Sequence, residues 1–260
     1  MQGKGKRWFF AAAVALLLFA GVTERLEAAV SEEVEALYRR SIIDAMYAAP
    51  EEIYPLVNIE KDDPYVWWNE AQDKVAVCTW NNQPDFYADG KAVKSADVVW
   101  VFHPRELAAW YEKNKGTFDD TQLRLEQLIG LRPQEGYTHF SLLWVSPRDL
   151  VRPAYNSDIR KGEMRTELTG EEDKAYARWF RENILYSYYP LRYPWTRLGY
   201  TYDWADNGTA YGLSEFIIRK GARIRVAKTY ANAQFYALMA DGALGAPAAA
   251  EGQTPCAGRK

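Results

Sequence analysis

Histidine and cysteine are nearly absent from this chain, which has two of each among 260 residues. Two cysteines cannot staple a disulfide scaffold or build a multi-cysteine zinc module. His103 and His139 lack the spacing of a His-based metal motif. There is no glycine-rich phosphate loop, no CxxC pair and no G-x-S-x-G elbow, so the chain carries no signature of phosphate-loop, thiol-redox or serine-hydrolase chemistry. Nothing in it calls for a cofactor or a metal. Excess positive charge is also missing: 32 basic residues face 35 acidic ones. Counted from Ala29, 28 face 33, a net charge of about −5 that disfavours a phosphate-tracking surface and hence nucleic acid.

The one long apolar run lies at the start. Lys4, Lys6 and Arg7 precede Trp8 to Val22, which is rich in Ala, Leu and Phe, and Leu26-Glu27-Ala28 follows. That pattern predicts a secretory leader over residues 1–28, cleaved after Ala28, with an uncleaved N-terminal anchor as the alternative. Cleavage leaves a periplasmic or secreted protein with no transmembrane span, because no later stretch is apolar enough to cross a bilayer. In such a compartment Cys78 and Cys256 have two readings. Either they form a disulfide, or Cys78 is a buried thiol in an apolar strand and Cys256 stays free in the tail.

Apolar residues recur at helical spacing over Ser31–Ala49, where Pro50 stops the helix. His103-Pro104 opens a second helix with Leu107, Trp110 and Tyr111 on its buried stripe, and His103 is placed to cap it. A third runs over Thr121–Ile129 and closes at Gly130. The Thr169–Glu172 capping box starts a fourth, with Tyr176, Trp179, Phe180, Asn183 and Ile184 on one side. Short β-branched runs mark strands at Lys74–Trp80, Asp97–Phe102 and Thr138–Val145. Glu215–Arg219 and Arg223–Thr229 flank Lys220-Gly221, which reads as a tight hairpin. The order lacks regular βαβ alternation. The chain is therefore expected to be α+β, a mostly antiparallel sheet with packed helices in a single globular domain over residues 29–240. A disordered Gly/Ala/Pro-rich tail is expected over 241–260.

Tyr186 to Gly212 is the most unusual segment, with nine Tyr and Trp residues around Arg192, Arg197, Asp203 and Asp206. Tyrosine and tryptophan offer flat apolar faces with a polar edge, which suits sugar rings and other half-polar ligands. Trp195, Arg197, Tyr200, Asp203 and Trp204 are the candidate binding residues, unless Arg197 and Asp203 form a structural ion pair and the rings are core. Laid on a calcium-binding EF-hand loop, Asp203 to Ser214 puts Ala205 where an oxygen ligand belongs, so a turn at Asn207-Gly208 accounts for those residues better. Asp203, Asp206, Glu215 and Glu182 supply the carboxyls a glycoside hydrolase would need. Three functions stay open: an envelope protein that binds a glycan or a protein partner through the aromatic segment, a carboxylate-dependent hydrolase of envelope glycans, and a structural envelope factor without a small-molecule site.

Overall fold

A computed structural model describes residues 32–160 and 163–247. The leader expected over residues 1–28 and tail residues 248–260, Cys256 among them, lie outside the described residues. The helices are α1 (residues 32–44), α2 (Pro104–Asn114), α3 (Thr121–Leu128), α4 (Lys174–Tyr188) and α5 (Asn232–Ala240). The strands are β1 (Val75–Asn81), β2 (Ala92–Lys94), β3 (Val99–Phe102), β4 (His139–Val145), β5 (Leu150–Val151), β6 (Tyr200–Tyr202), β7 (Tyr211–Ile218) and β8 (Arg223–Ala231). They form one eight-stranded sheet in the order β2-β8-β4-β1-β3-β7-β5, with β6 added to β7. Every pairing is antiparallel. The α+β architecture expected from the element order is the one observed.

Alternation along the strands sorts side chains between two cores. Val75, Val77, Val101, Leu143, Val145, Phe216, Ile218, Ile224 and Val226 meet in one cluster. It draws on β7 and β8, which stand far apart in the strand order, so the sheet curls around it. The opposite face carries Cys78, Trp80, Phe102, Phe140 and Leu142, covered by Leu107 of α2, Leu125 and Leu128 of α3 and Phe235 of α5. Farther along that face, Val151 and Ile217 pack under Tyr176 and Phe180 of α4. Burial of each large aliphatic or aromatic side chain contributes about 1.5–3 kcal/mol. The helix α1 docks separately, through Tyr38 and Ile42, onto Tyr188 and Trp204.

Three local expectations are corrected. The turn at Lys220-Gly221 forms, with Gly221 at φ +83°, but it does not make a hairpin. Its strands pair elsewhere, β7 with β3, β5 and β6, and β8 with β2 and β4. Ser95 ties the turn down instead: its carbonyl accepts from Gly221 N at 2.9 Å, and its hydroxyl donates to Arg219 O at 2.7 Å. The Thr169–Glu172 box also forms, with Thr169 N donating to Glu172 Oε1 at 2.7 Å. It closes a turn ahead of α4, however, and Asp173 caps the helix by accepting from Ala175 N and Tyr176 N, both at 3.0 Å. His103 stands before α2 without capping it; its Nδ1 pairs with Ala76 O at 3.3 Å across to β1. The helix α5 has no counterpart in the sequence reading, because a short alanine-rich stretch ahead of the tail carries no cap and little periodicity.

Where β3 ends, a side chain takes over its partner's ladder. The Glu106 carboxylate accepts from Ser214 N at 3.0 Å and from Ser214 Oγ at 3.0 Å, and Ser214 Oγ in turn accepts from Val57 N at 2.9 Å. Arg152 Nη2 donates to Val57 O at 2.8 Å, and its guanidinium lies 4.7 Å from the centre of the Phe216 ring. Desolvation pushes the Glu106 carboxyl up to about 7, against the opposing pull of the Ser214 hydrogen bonds and the Arg152 charge. The folded carboxyl thus keeps its proton to a higher pH than the unfolded one, so stability declines as pH rises from about 4.5 to about 7. Denaturant unfolding across that range will show a shallower decline in Glu106→Gln than in the wild type.

Candidate functional site

The central strands β1 and β3 meet at one register pair, Cys78↔Phe102, and then diverge. The gap opens into a cleft of about 760 Å³. Thr79, Trp80 and Asn81 line one wall and Val99 to Phe102 the other, while Trp179, Asn183 and Tyr186 of α4 stand over it. Ile129 to Leu131 at the end of α3 and Tyr193 to Trp195 complete the rim, and Glu215 of β7 lies within.

The cleft has an apolar wall and a polar one. Trp100, Trp179 and Trp195 form the first, with ring centres 5.9–6.3 Å apart and interplanar angles of 45–81°. Polar side chains of Asn82, Gln83 and Asn183 line the cleft together with backbone, whereas the Asn81 amide is held inside the sheet, donating to Ser141 Oγ and accepting from Gln83 N. Ala76 O accepts from His103, and Ala76 N donates to Trp67 O. Both therefore point to the β3 side, and strand alternation turns the N–H and C=O of Trp80 the same way, into the gap. Asp97, Glu182 and Glu215 are the charged residues of the lining, which contains no Lys, Arg or His. Lys91 and Arg192 lie over the rings of Phe86 and Tyr186, and Arg178 pairs with Glu182 at 2.9 Å, but none of these cations lines the cleft.

Glu215 is the anomalous group. It is 6 % exposed, and its Oε1 has no hydrogen-bond partner. Burial pushes its carboxyl well up from the usual range, opposed by the charge of Arg152 and by the Trp195 indole. That indole N–H donates at 2.9 Å to Pro153 O, so it does not satisfy the acid by itself.

Of the five residues singled out in the aromatic segment, the structure brings Trp195 to the cleft and sets the other four in supporting positions. Arg197 does not pair with Asp203. Its Nη2 donates to Ala45 O at 3.0 Å and Met46 O at 2.7 Å, just past α1, where helix carbonyls lack partners. Tyr155 and Tyr188 flank its guanidinium at 5.4 and 5.3 Å. Asp203 instead takes a bidentate pair from Arg124, at 3.0 Å from Nη1 and 2.6 Å from Nη2. Its oxygens also accept from Ala205 N and Asn207 Nδ2, which fixes the turn. Tyr200 donates to Glu52 O at 2.9 Å, and Trp204 Nε1 to Leu131 O at 2.8 Å.

Among the four carboxyls weighed for hydrolysis, Glu215 and Glu182 share the cleft, whereas Asp203 is bound in its pair and Asp206 is exposed outside the lining. His103 sits against Ala76 near the start of β1 and His139 opposite Asn81 at its end, so the two do not meet. Among the described residues no group of three or more His, Cys, Asp or Glu side chains is placed to hold a metal ion. Cys78 is a free thiol, fully buried in β1, and burial raises its pKa. Trp100 and Trp179 were not singled out for the site because each lies in a regular element outside the aromatic segment. The signal for Trp100 was a tryptophan on a strand of otherwise β-branched residues.

Fold and cleft together define an antiparallel α+β protein with an aromatic, acid-lined groove at a split in its sheet. Comparison with protein-family models, with curated proteins and with solved structures returns no match. Among the described residues no helix is long and apolar enough to cross a membrane.

The Arg124–Asp203 pair is nearly sealed, with side-chain exposures of 11 % and 1 %. Removing either partner leaves a buried charge alone, so Arg124→Leu and Asp203→Ala should each cost about 3–5 kcal/mol in chemical unfolding. An apolar double replacement will recover much of that loss.

Proposed function

We propose that this chain is an exported envelope protein that binds a saccharide in the cleft between β1 and β3. The observation that carries the reading is the cluster of Trp100, Trp179 and Trp195 in one cleft with the amides of Asn82, Gln83 and Asn183 and the backbone of Trp80. Sugar rings have apolar faces that pack on tryptophan and hydroxyl edges that need donors and acceptors, and this cleft supplies both. The basic, apolar start of the sequence supports export, and an envelope glycan is then the saccharide within reach. The aromatic segment retains a part in this reading through Tyr186, Tyr193 and Trp195, while Arg197, Asp203 and Trp204 brace the loop that presents them.

A second reading has one observation in its favour: Glu215 and Glu182 share the cleft, and one of them is desolvated. A hydrolase would use Glu215 as the protonated acid and Glu182 as the carboxylate partner. A protein partner is less well served, since the aromatics line a groove instead of forming a flat exposed patch.

Titration of tryptophan fluorescence with a soluble tetrasaccharide of N-acetylglucosamine tests the binding reading. Trp100 packs on Trp179 and Trp195, so Trp100→Ala should lower the unfolding midpoint and also weaken binding by about 10-fold or more at temperatures where the variant stays folded. New reducing ends in the same mixture would favour the hydrolase. No spectral response from the wild type at any attainable concentration would remove the saccharide reading.

A further inference from the structure

We propose that the saccharide taken by this cleft carries a free amine, as a glucosamine unit does, and that Glu215 is the amine's anionic partner. The inference rests on the saccharide reading above and deepens it.

Charge at the site is one-sided. Three carboxyl residues line the cleft without a single Lys, Arg or His, so a uronic acid or a phosphorylated sugar would enter with no cation to meet it. Two of the three already have local partners: Glu182 pairs with Arg178, and Asp97 Oδ1 accepts from Val98 N at 2.9 Å. Glu215 does not. It is more than nine-tenths buried, lines the cleft, and leaves Oε1 without a donor. Arg152 acts on it through space but makes no ion pair: its Nε and Nη2 donate to Val57 O, Asp158 O and Ile159 O, and its Nη1 has no partner.

A buried acceptor without a donor is costly, and a ligand that brings the donor recovers that cost on binding. An ammonium group does so with charge assistance, and its charge draws off to solvent the proton that burial favours on the free carboxyl. The surroundings suit it as well, because Trp195 and Trp100 present ring faces and edges near the carboxyl, and tryptophan is the strongest neutral host for a cation. On β3 Trp100 lies two residues from Phe102, the register partner of Glu215, which places its ring diagonally across the same sheet face. An N-acetylated sugar offers Glu215 an amide instead, bulkier and uncharged.

Two tetrasaccharides that differ only in acetylation, the N-acetylglucosamine tetramer and its fully deacetylated form, separate the possibilities by calorimetry. The wild type is expected to bind the deacetylated tetramer about 10-fold or more tightly. Glu215→Gln should bring the two affinities together by weakening the deacetylated one alone, and Glu215→Asp should keep a preference. Equal affinities in the wild type, or a preference for the acetylated form, would overturn the amine requirement and leave the saccharide reading intact. Absence of binding by either tetramer overturns the saccharide reading itself. A preference that survives unchanged in Glu215→Gln overturns the assignment to Glu215. The wild-type comparison needs no variant, so the amine requirement is decided even where Glu215→Gln fails to fold.

Discussion

The structure turns on how little β1 and β3 share. Their contact is pinned at Cys78↔Phe102 and reinforced one step on, where His103 reaches Ala76 O. Past that point each strand is held by its other neighbour. β1 is paired with β4 along its whole length, from Val75↔Val145 to Asn81↔His139, and β3 with β7 from Val99↔Ile218 to Phe102↔Glu215. Trp80 stacks on Phe140 at 4.6 Å, which strengthens the hold of β4. The gap thus persists in the middle of a sheet where a ladder would ordinarily run. The two halves still fold as one body because the curl of the sheet brings β7 and β8 back to a common core.

The strand β7 carries the consequences. Its alternation sends Ser214, Phe216 and Ile218 one way and Leu213, Glu215 and Ile217 the other. Ser214 joins Glu106 and Val57 in a closed hydrogen-bond chain, whereas Glu215 faces the cleft with an unsatisfied oxygen. Adjacent residues of one strand therefore hold a satisfied and an unsatisfied polar group at similar burial. The unsatisfied one is the buried polar group of the two that calls for an explanation.

Much of the fold was legible. Pro104 at a helix start, Asp and Pro punctuation, and the alternation of Phe140, Leu142 and Trp144 against Ser141 and Leu143 are local signals, and they placed α2, α3 and β4 within a residue or two. The short strands β2, β5 and β6 gave no pattern long enough to read. The candidate site was legible only in part. An unusual density of tyrosine and tryptophan drew attention to residues 186–212, but the same chemistry that suits a ring to a ligand suits it to a core. Arg197 went to the end of α1 and Asp203 to Arg124, both contacts with residues distant in sequence.

The sequence by itself determined the helical and extended segments other than α5, β2, β5 and β6, the antiparallel character and the scarcity of metal and nucleophile chemistry, because these follow from side-chain period, capping residues and composition. Tertiary structure alone decided which rings face a groove, which acids share it, and which turn joins strands that never pair. Those outcomes depend on burial and on partners far along the chain. Glu215, Trp100 and Trp179 meet only because β3, α4 and β7 converge where two central strands separate.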